Sequence, residues 1–353
     1  MKAGILTFHE ADNYGAVMQA YALQQTLKKL GADSEFVTIH SEKKEDPDEP
    51  AMPSRAAVFA KMLKKEGVKR SALFSQFRDE HLVSSSPYEK SDLKQCNDDY
   101  DVFIAGSDQI WNFRIPGADE RYFLPFADPG KRFSYAASFG AEDLPEQAKP
   151  WCAKQLGEFK GLSVREKSGV KIIQELTGRE AQVCLDPTLL LDRSDWELLI
   201  KEKPEEPYML LFMLKYDPVL TDAAKKKAAE SGLQLKSVTS SFMPQFGFGS
   251  WSSVGVKDWL TLIANAEGVF TNSFHGTVFS LLFGRPFHTA MLTGELGSRN
   301  GRIVELLTLA GVPEGQAEDL ILIKTDNFEN RISKAKESSI SYLKEVVNYA
   351  ETI

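Results

Sequence analysis

Residues 2–39 read KAGILTFHEADNYGAVMQAYALQQTLKKLGADSEFVTI, and this stretch decides the fold. Residues 2–7 are an apolar run that stops at a polar turn, the pattern of a buried strand. Ala16, Ala20, Leu23, Leu27 and Leu30 then recur at spacings of four and three, which places them on one face of a helix. Gly31 ends that helix, and residues 34–39 are apolar enough for a second strand. Strand, helix and strand in close succession form a βαβ unit, which predicts a parallel sheet covered by helices.

The same alternation continues outward. Residues 41–53 hold three prolines with an acidic bias and read as a linker. Residues 56–67 and 71–81 read as two helices of a peripheral insertion spanning about 54–95. Strands follow at 101–105, 132–136, 162–164 and 182–185, with helices at 146–159 and 168–176 between them. Charge and proline concentrate between Asp192 and Pro207, and a second series begins there. Its strands are 208–214, 234–238 and 268–271, and its helices 217–231, 257–266, 275–283 and one marked by Ile303, Leu306, Leu307 and Ala310. A chain of 353 residues holds two domains at ~100–200 residues each. The expected division is 1–195, 205–325 and a C-terminal helix in 326–353 that crosses back to the first domain.

Composition narrows the function. With 42% apolar and 26% charged residues the chain is an ordinary globular one, not a disordered one. No apolar run reaches the length of a membrane span, and residues 1–7 lack the features of a secretory signal, so a cytoplasmic protein is expected. Cys96, Cys152 and Cys184 are far apart, which indicates neither a zinc site nor a disulfide framework, and no metal is expected. A net charge of −8 argues against nucleic-acid binding, while leaving room for a few arginines to hold one small anion. There is no G-x-G-x-x-G after the first strand, no Walker A loop and no G-x-S-x-G elbow.

In open α/β sheets ligands bind at the carboxyl ends of the strands. Polar clusters follow five of the expected strands: His9, Glu10, Asp12, Asn13, Tyr14 and Gly15; Gly106 to Gln109; Ala137 to Gly140; Arg165 and Glu166; and Asn272 to Gly276. His275 is the strongest candidate, because it sits at a strand–helix junction with Ser273 as the N-cap, where free amides and the helix dipole suit an anion. Its alternative role is to cap the turn. Arg299 and Arg302 share a helix face at spacing three and form either an anion clamp or pairs with Glu295 and Glu305. Arg165 is open to an ion pair with Glu166, Asp108 to capping the next helix, and His9, Asp12 and Asn13 to plain turn chemistry. Trp111 is either core or a platform for a sugar ring.

Several of these stretches resemble the polysaccharide pyruvyl transferase family. They are Gly4-Ile5-Leu6-Thr7-Phe8, Asp12-Asn13-Tyr14-Gly15-Ala16, Gln19-Ala20-Tyr21-Ala22-Leu23, Ala105-Gly106-Ser107-Asp108-Gln109-Ile110-Trp111-Asn112, Ser163-Val164-Arg165-Glu166 and Leu185-Asp186-Pro187-Thr188-Leu189-Leu190. Thr271-Asn272-Ser273-Phe274-His275-Gly276-Thr277-Val278-Phe279-Ser280 is the most diagnostic, and Ser298-Arg299 with Arg302-Ile303 completes the ordered set. The resemblance implies two Rossmann-like domains with parallel sheets facing a cleft, a glycosyltransferase-B-like architecture. It implies transfer of pyruvate from phosphoenolpyruvate to a sugar of a cell-surface polysaccharide or its lipid-linked precursor, forming a ketal. His275 is then the expected general acid. Arg165, Arg299, Arg302, Ser273 and Asn272 are expected on the donor side, formed by the second domain and the cleft. His9, Asp12, Asn13, Tyr14, Ser107 and Asp108 are expected on the acceptor side, in the first domain. No cofactor is implied beyond phosphoenolpyruvate as co-substrate, and membrane association would come through the substrate. Two other readings fit the same pattern: a nucleotide-sugar-dependent glycosyltransferase and a non-catalytic glycan- or anion-binding protein.

Overall fold

The computed structural model describes residues 1–39, 54–115, 119–239, 254–294, 297, 300–313 and 322–352. The first sheet starts with β1 (Lys2–Leu6), α1 (Tyr14–Lys29) and β2 (Asp33–Phe36), the two strands pairing in parallel with Ile5 opposite Phe36. Asn13 caps α1 by accepting from the Ala16 amide, and Gly31 leaves the helix at φ +82°, a conformation that suits a residue without Cβ. The stretch at 41–53 lies outside the described residues.

One continuous helix, α2 (Ser54–His81), replaces the two short helices expected there. Gly67 inside it costs ~1 kcal/mol of helix propensity. Burial of Phe74 and Phe77 along one face outweighs that penalty. Next come α3 (Leu93–Asp99), β3 (Val102–Ala105), β4 (Arg132–Ser134), α4 (Lys149–Gly157), β5 (Ser163–Val164), α5 (Lys167–Thr177) and β6 (Gln182–Val183). The strand order is β2-β1-β3-β4, and parallel bridges from Phe133 to Gly161 and from Ala137 to Val164 carry it on to β5 and β6.

After the short α6 (Arg193–Glu197), the second sheet is built from β7 (Tyr208–Met213), α7 (Pro218–Glu230), β8 (Gln234–Thr239), α8 (Val256–Asn265), β9 (Gly268–Thr271), α9 (Phe274–Leu282) and β10 (Phe287–Thr289). Its order is β10-β9-β7-β8, parallel throughout. Every residue of β7 is buried, as a strand covered on both faces requires. Two helices follow, α10 (Asn300–Leu309) and α11 (Phe328–Ala350).

The protein is thus an α/β chain of two Rossmann-like units. Each sheet puts its first strand in the middle, its second on one side and its third on the other. The chain therefore reverses direction between β1 and β3 and again between β7 and β9, where side chains have room to converge. The two halves meet through Tyr14, which stacks on Trp259 at 4.9 Å and donates to the Val254 carbonyl at 2.8 Å. Helix α11 returns to the first sheet, where the Tyr342 hydroxyl donates to the Ser134 carbonyl at 2.9 Å and the Leu185 amide donates to Ser339. Among the described residues no helix is long and apolar enough to cross a membrane.

Candidate active site

The carboxyl ends of β3, β5 and β6 in one half and β9 in the other bring four charged side chains together. Arg165 follows β5, Asp186 follows β6, Asp108 follows β3, and His275 lies in the first turn of α9. Arg165 Nη2 is 2.9 Å from Asp186 Oδ2, and Arg165 Nη1 is 3.8 Å from Asp108 Oδ1. His275 Nε2 is 3.5 Å from the same Asp186 Oδ2. Arg302, from α10, sits with its Nε 3.7 Å from Glu166 Oε1. The Phe274 ring is near both arginines, with guanidinium centres 5.6 Å (Arg165) and 5.5 Å (Arg302) from its centroid, a cation–π distance for each.

Burial makes these charges matter. The Arg165 side chain is 3% exposed and that of Asp186 is fully enclosed. Burial alone would raise the Asp186 carboxyl, but Arg165 and His275 outweigh it and hold the group well below the usual carboxylate range. Burial likewise works against the charge on Arg165, and the carboxylates of Asp186, Asp108 and Glu166 more than restore it. Burial raises Glu166 above an ordinary glutamate, against the opposing pull of Arg302 and Arg165 and the hydrogen bond from Ser138. Arg165 Nε and Nη1 are buried and make no hydrogen bond among the described residues, so the cation has donors to spare there.

The alternative reading of Arg165, an ion pair with Glu166, is not what the structure shows: adjacent residues at the end of a strand point to opposite faces, and the ion-pair partner of Arg165 is Asp186. Ser107 is fully buried and faces Arg165 Nη2, with its hydroxyl donating to the Ala136 carbonyl. It supports the arginine and is not open to a sugar. Gln19 and Thr7 brace it from behind, Gln19 donating to the Thr7 hydroxyl and that hydroxyl to the Ser107 carbonyl.

Other expected contacts have structural partners instead. Asp12 accepts from Arg78 at 3.0 Å and from Ser71, tying α2 down. Asn13 is the α1 cap, and Tyr14 is wedged between the halves. His9 is buried against Phe36, with Nδ1 donating to the Thr7 carbonyl at 3.1 Å, and burial lowers its proton affinity. Asn272 spends both ends of its amide on the β7 loop, accepting from Leu214 N at 2.8 Å and donating to Lys215 O at 2.7 Å. Ser273 caps α9 by accepting from the Gly276 amide. Trp111 is buried and stacked on Phe123 in the core, with its Nε1 donating to the Tyr122 carbonyl at 3.0 Å. Asp108 accepts from the next amide, Gln109, while holding a left-handed backbone (φ +74°) at the rim of the cluster. Glu295 and Arg299 lie outside the described residues.

Three participants stand in the sequence within polar clusters or family-like stretches but carry no expected role at the site. Asp186 obeys the same rule as the others, standing just past a strand end, but it also opens a turn by accepting from the Thr188 amide and so reads as a cap. Phe274 reads as core. Gly15 lies so close to His275 that a Cβ built on it would overlap the imidazole.

Comparison with known proteins bears on the whole chain. Among solved structures, the Methanocaldococcus jannaschii UDP-GlcNAc 2-epimerase aligns at 10% identity over 96% of this chain and 100% of its own, with a TM-score of 0.44. The Neisseria meningitidis UDP-GlcNAc 2-epimerase aligns at 10% identity over 96% and 100%, TM-score 0.42. A spinosyn rhamnosyltransferase complexed with thymidine diphosphate aligns at 11% identity over 99% and 96%, TM-score 0.39. No curated protein matches in sequence. The family model for polysaccharide pyruvyl transferase matches residues 13–289, a span that takes in Arg165, Asp186 and His275. With that match over most of its length, the chain belongs to the polysaccharide pyruvyl transferase family.

Proposed function

We propose that this protein transfers the enolpyruvyl carbons of phosphoenolpyruvate to a sugar of a cell-surface polysaccharide or its lipid-linked precursor, forming a pyruvate ketal. The observation that carries the reading is the buried Arg165 guanidinium, with hydrogen-bond donors to spare among the described residues, held beside His275 where the two sheets meet. Phosphoenolpyruvate carries a carboxylate and a phosphate on three carbons, and planar guanidinium groups match both. Arg165 and Arg302, each at cation–π distance from the Phe274 ring, are the guanidinium groups assigned to this small anion. Arg299 is expected to join them.

The enol carbon is a poor electrophile until C3 takes a proton. His275 supplies that proton, a contribution of ~100–10,000-fold. The cation that forms at C2 is attacked by a sugar hydroxyl, while the arginines neutralise the departing phosphate; preorganised donors of this kind are worth ~3–4 kcal/mol each. A second hydroxyl closes the ketal. Asp108, at the rim and facing Arg165, is the acceptor-side residue that retains an open position. The scheme uses no metal and no redox cofactor, and a lipid-linked acceptor would bring the protein to a membrane surface.

The test is incubation of the purified chain with phosphoenolpyruvate and a panel of free and lipid-linked oligosaccharides. Phosphate release is expected to require an acceptor, the product to gain a carboxyethylidene group by mass, and His275→Gln to lose both. Acceptor-independent phosphate release, or thermal stabilisation by nucleotide sugars and not by phosphoenolpyruvate, would overturn the proposal.

A further inference from the structure

The two oxygens of Asp186 have separate duties. Oδ1 accepts from Thr188 twice, from its amide at 2.9 Å and its hydroxyl at 2.6 Å. These bonds fix the plane of the carboxylate, so Oδ2 faces Arg165 Nη2 at 2.9 Å and His275 Nε2 at 3.5 Å. Neither Asp186 Oδ2 nor His275 Nε2 makes a hydrogen bond among the described residues, so the contact is electrostatic: a buried carboxylate beside Nε2 favours the tautomer with a hydrogen there over one that faces it with a lone pair. The opposite nitrogen, Nδ1, is turned to Gly15, the one residue type whose lack of Cβ leaves room for the ring there.

We infer that Asp186 is a positioning residue for pyruvyl transfer: it keeps a hydrogen on His275 Nε2, so that Nδ1 gives and takes back the reacting proton. The inference rests on the phosphoenolpyruvate reading of the site. Nδ1–H gives its proton to C3; the enol π pair forms the new C–H bond and C2 becomes cationic. The first hydroxyl adds to C2 and its proton goes to Nδ1, which restores the acid. The C2–O bond to phosphate breaks with its electron pair. The second hydroxyl adds to C2, and its proton leaves on the phosphate. Throughout, the hydrogen on Nε2 stays beside Asp186, and the imidazolium forms next to a fixed anion. By gripping Arg165 with the same oxygen, Asp186 sets the spacing between the proton donor and the anion clamp.

The experiment combines nitrogen NMR with kinetics on the full chain. In protein labelled with 15N-histidine, the His275 signals are identified by their loss in His275→Gln. Above the pH at which the ring titrates, wild type is expected to show a protonated Nε2 and a bare Nδ1. Asp186→Asn is expected to redistribute the two forms and to lower kcat by about 100-fold or more. Thr188→Val keeps the ion pair and the amide bond to Oδ1 but removes the hydroxyl bond, which loosens the carboxylate, and is expected to lower kcat by about 10-fold. It decides the kinetic arm if Asp186→Asn fails to fold. A wild-type ring protonated on Nδ1 and bare on Nε2, or wild-type kcat in both variants, overturns the inference. Failure of the underlying reading looks different: His275→Gln then transfers pyruvate as well as wild type does, whatever the NMR spectrum shows.

Discussion

Replacing Arg165 with methionine should damage folding as well as chemistry, with a pH signature. The substitution removes the guanidinium 2.9 Å from Asp186 and leaves a fully enclosed carboxylate with His275 and Thr188 as its remaining partners. Stranding one member of a buried ion pair costs about 3–5 kcal/mol. In a chain of 353 residues that lowers the melting temperature by roughly 4–7 °C. The sign with pH follows from the carboxyl. In wild type, Arg165 and His275 overcome the effect of burial and depress Asp186. It therefore contributes stability at any pH above the unfolded value of about 3.9, and loses it only as pH falls through the low folded value. In Arg165→Met burial dominates and raises the group, so the folded variant binds a proton more readily than the unfolded chain and gains stability on acidification. The deficit relative to wild type should shrink between pH 7 and pH 5. Adding Asp186→Asn to Arg165→Met removes the stranded charge and should recover much of the loss. Urea denaturation of the three proteins at both pH values is the assay. A deficit under about 1 kcal/mol, or one that is the same at both pH values, would refute the electrostatic account.

Three further outcomes follow from the geometry. Gly15→Ala puts a methyl group where the His275 ring lies and should lower kcat about 100-fold in steady-state assays of pyruvyl transfer, since displacing a reacting group by ~1 Å costs that much; an unchanged kcat would contradict the packing. Asn272→Ala removes the two hydrogen bonds that join the β9 end to the β7 loop and should cost about 1–3 kcal/mol by denaturation while leaving the KM for phosphoenolpyruvate unchanged. A tenfold rise in KM would return Asn272 to the donor site. Phe274→Leu removes the ring near both Arg165 and Arg302 and should weaken phosphoenolpyruvate binding by about 3–30-fold in calorimetry, through about 0.5–2 kcal/mol of lost cation–π positioning.

The sheet was legible because its signals are local. The apolar run of β1, the Ala16–Ala20–Leu23–Leu27 stripe of α1 and the stop at Gly31 each follow from neighbours in the chain, and the βαβ handedness does the rest. The unbroken α2 was missed because a glycine weighs against a helix locally, while the burial of Phe74 and Phe77 that overrides it comes from distant residues. The same contrast holds at the site. The rule that ligands gather at strand ends reached Arg165, Asp108 and His275, because it needs only the strand boundaries. It also swept in Asp12, Asn13, Tyr14 and Asn272, whose polar groups are used up on Arg78, the α1 amide, Val254 and the β7 loop. A short polar side chain after a strand looks the same in sequence whether it faces a substrate or a backbone. Which one it meets is settled by segments far away, 240 residues away for Tyr14. Asp186 is the converse case: a turn-opening aspartate whose second oxygen reaches across to the other half of the molecule.

The most direct test of the central claim is a crystal structure of the protein with phosphoenolpyruvate bound. The account predicts the anionic groups of the ligand on Arg165 and Arg302 and its C3 within contact distance of the His275 imidazole. Phosphoenolpyruvate bound elsewhere, or in this site with C3 turned away from His275, would contradict it.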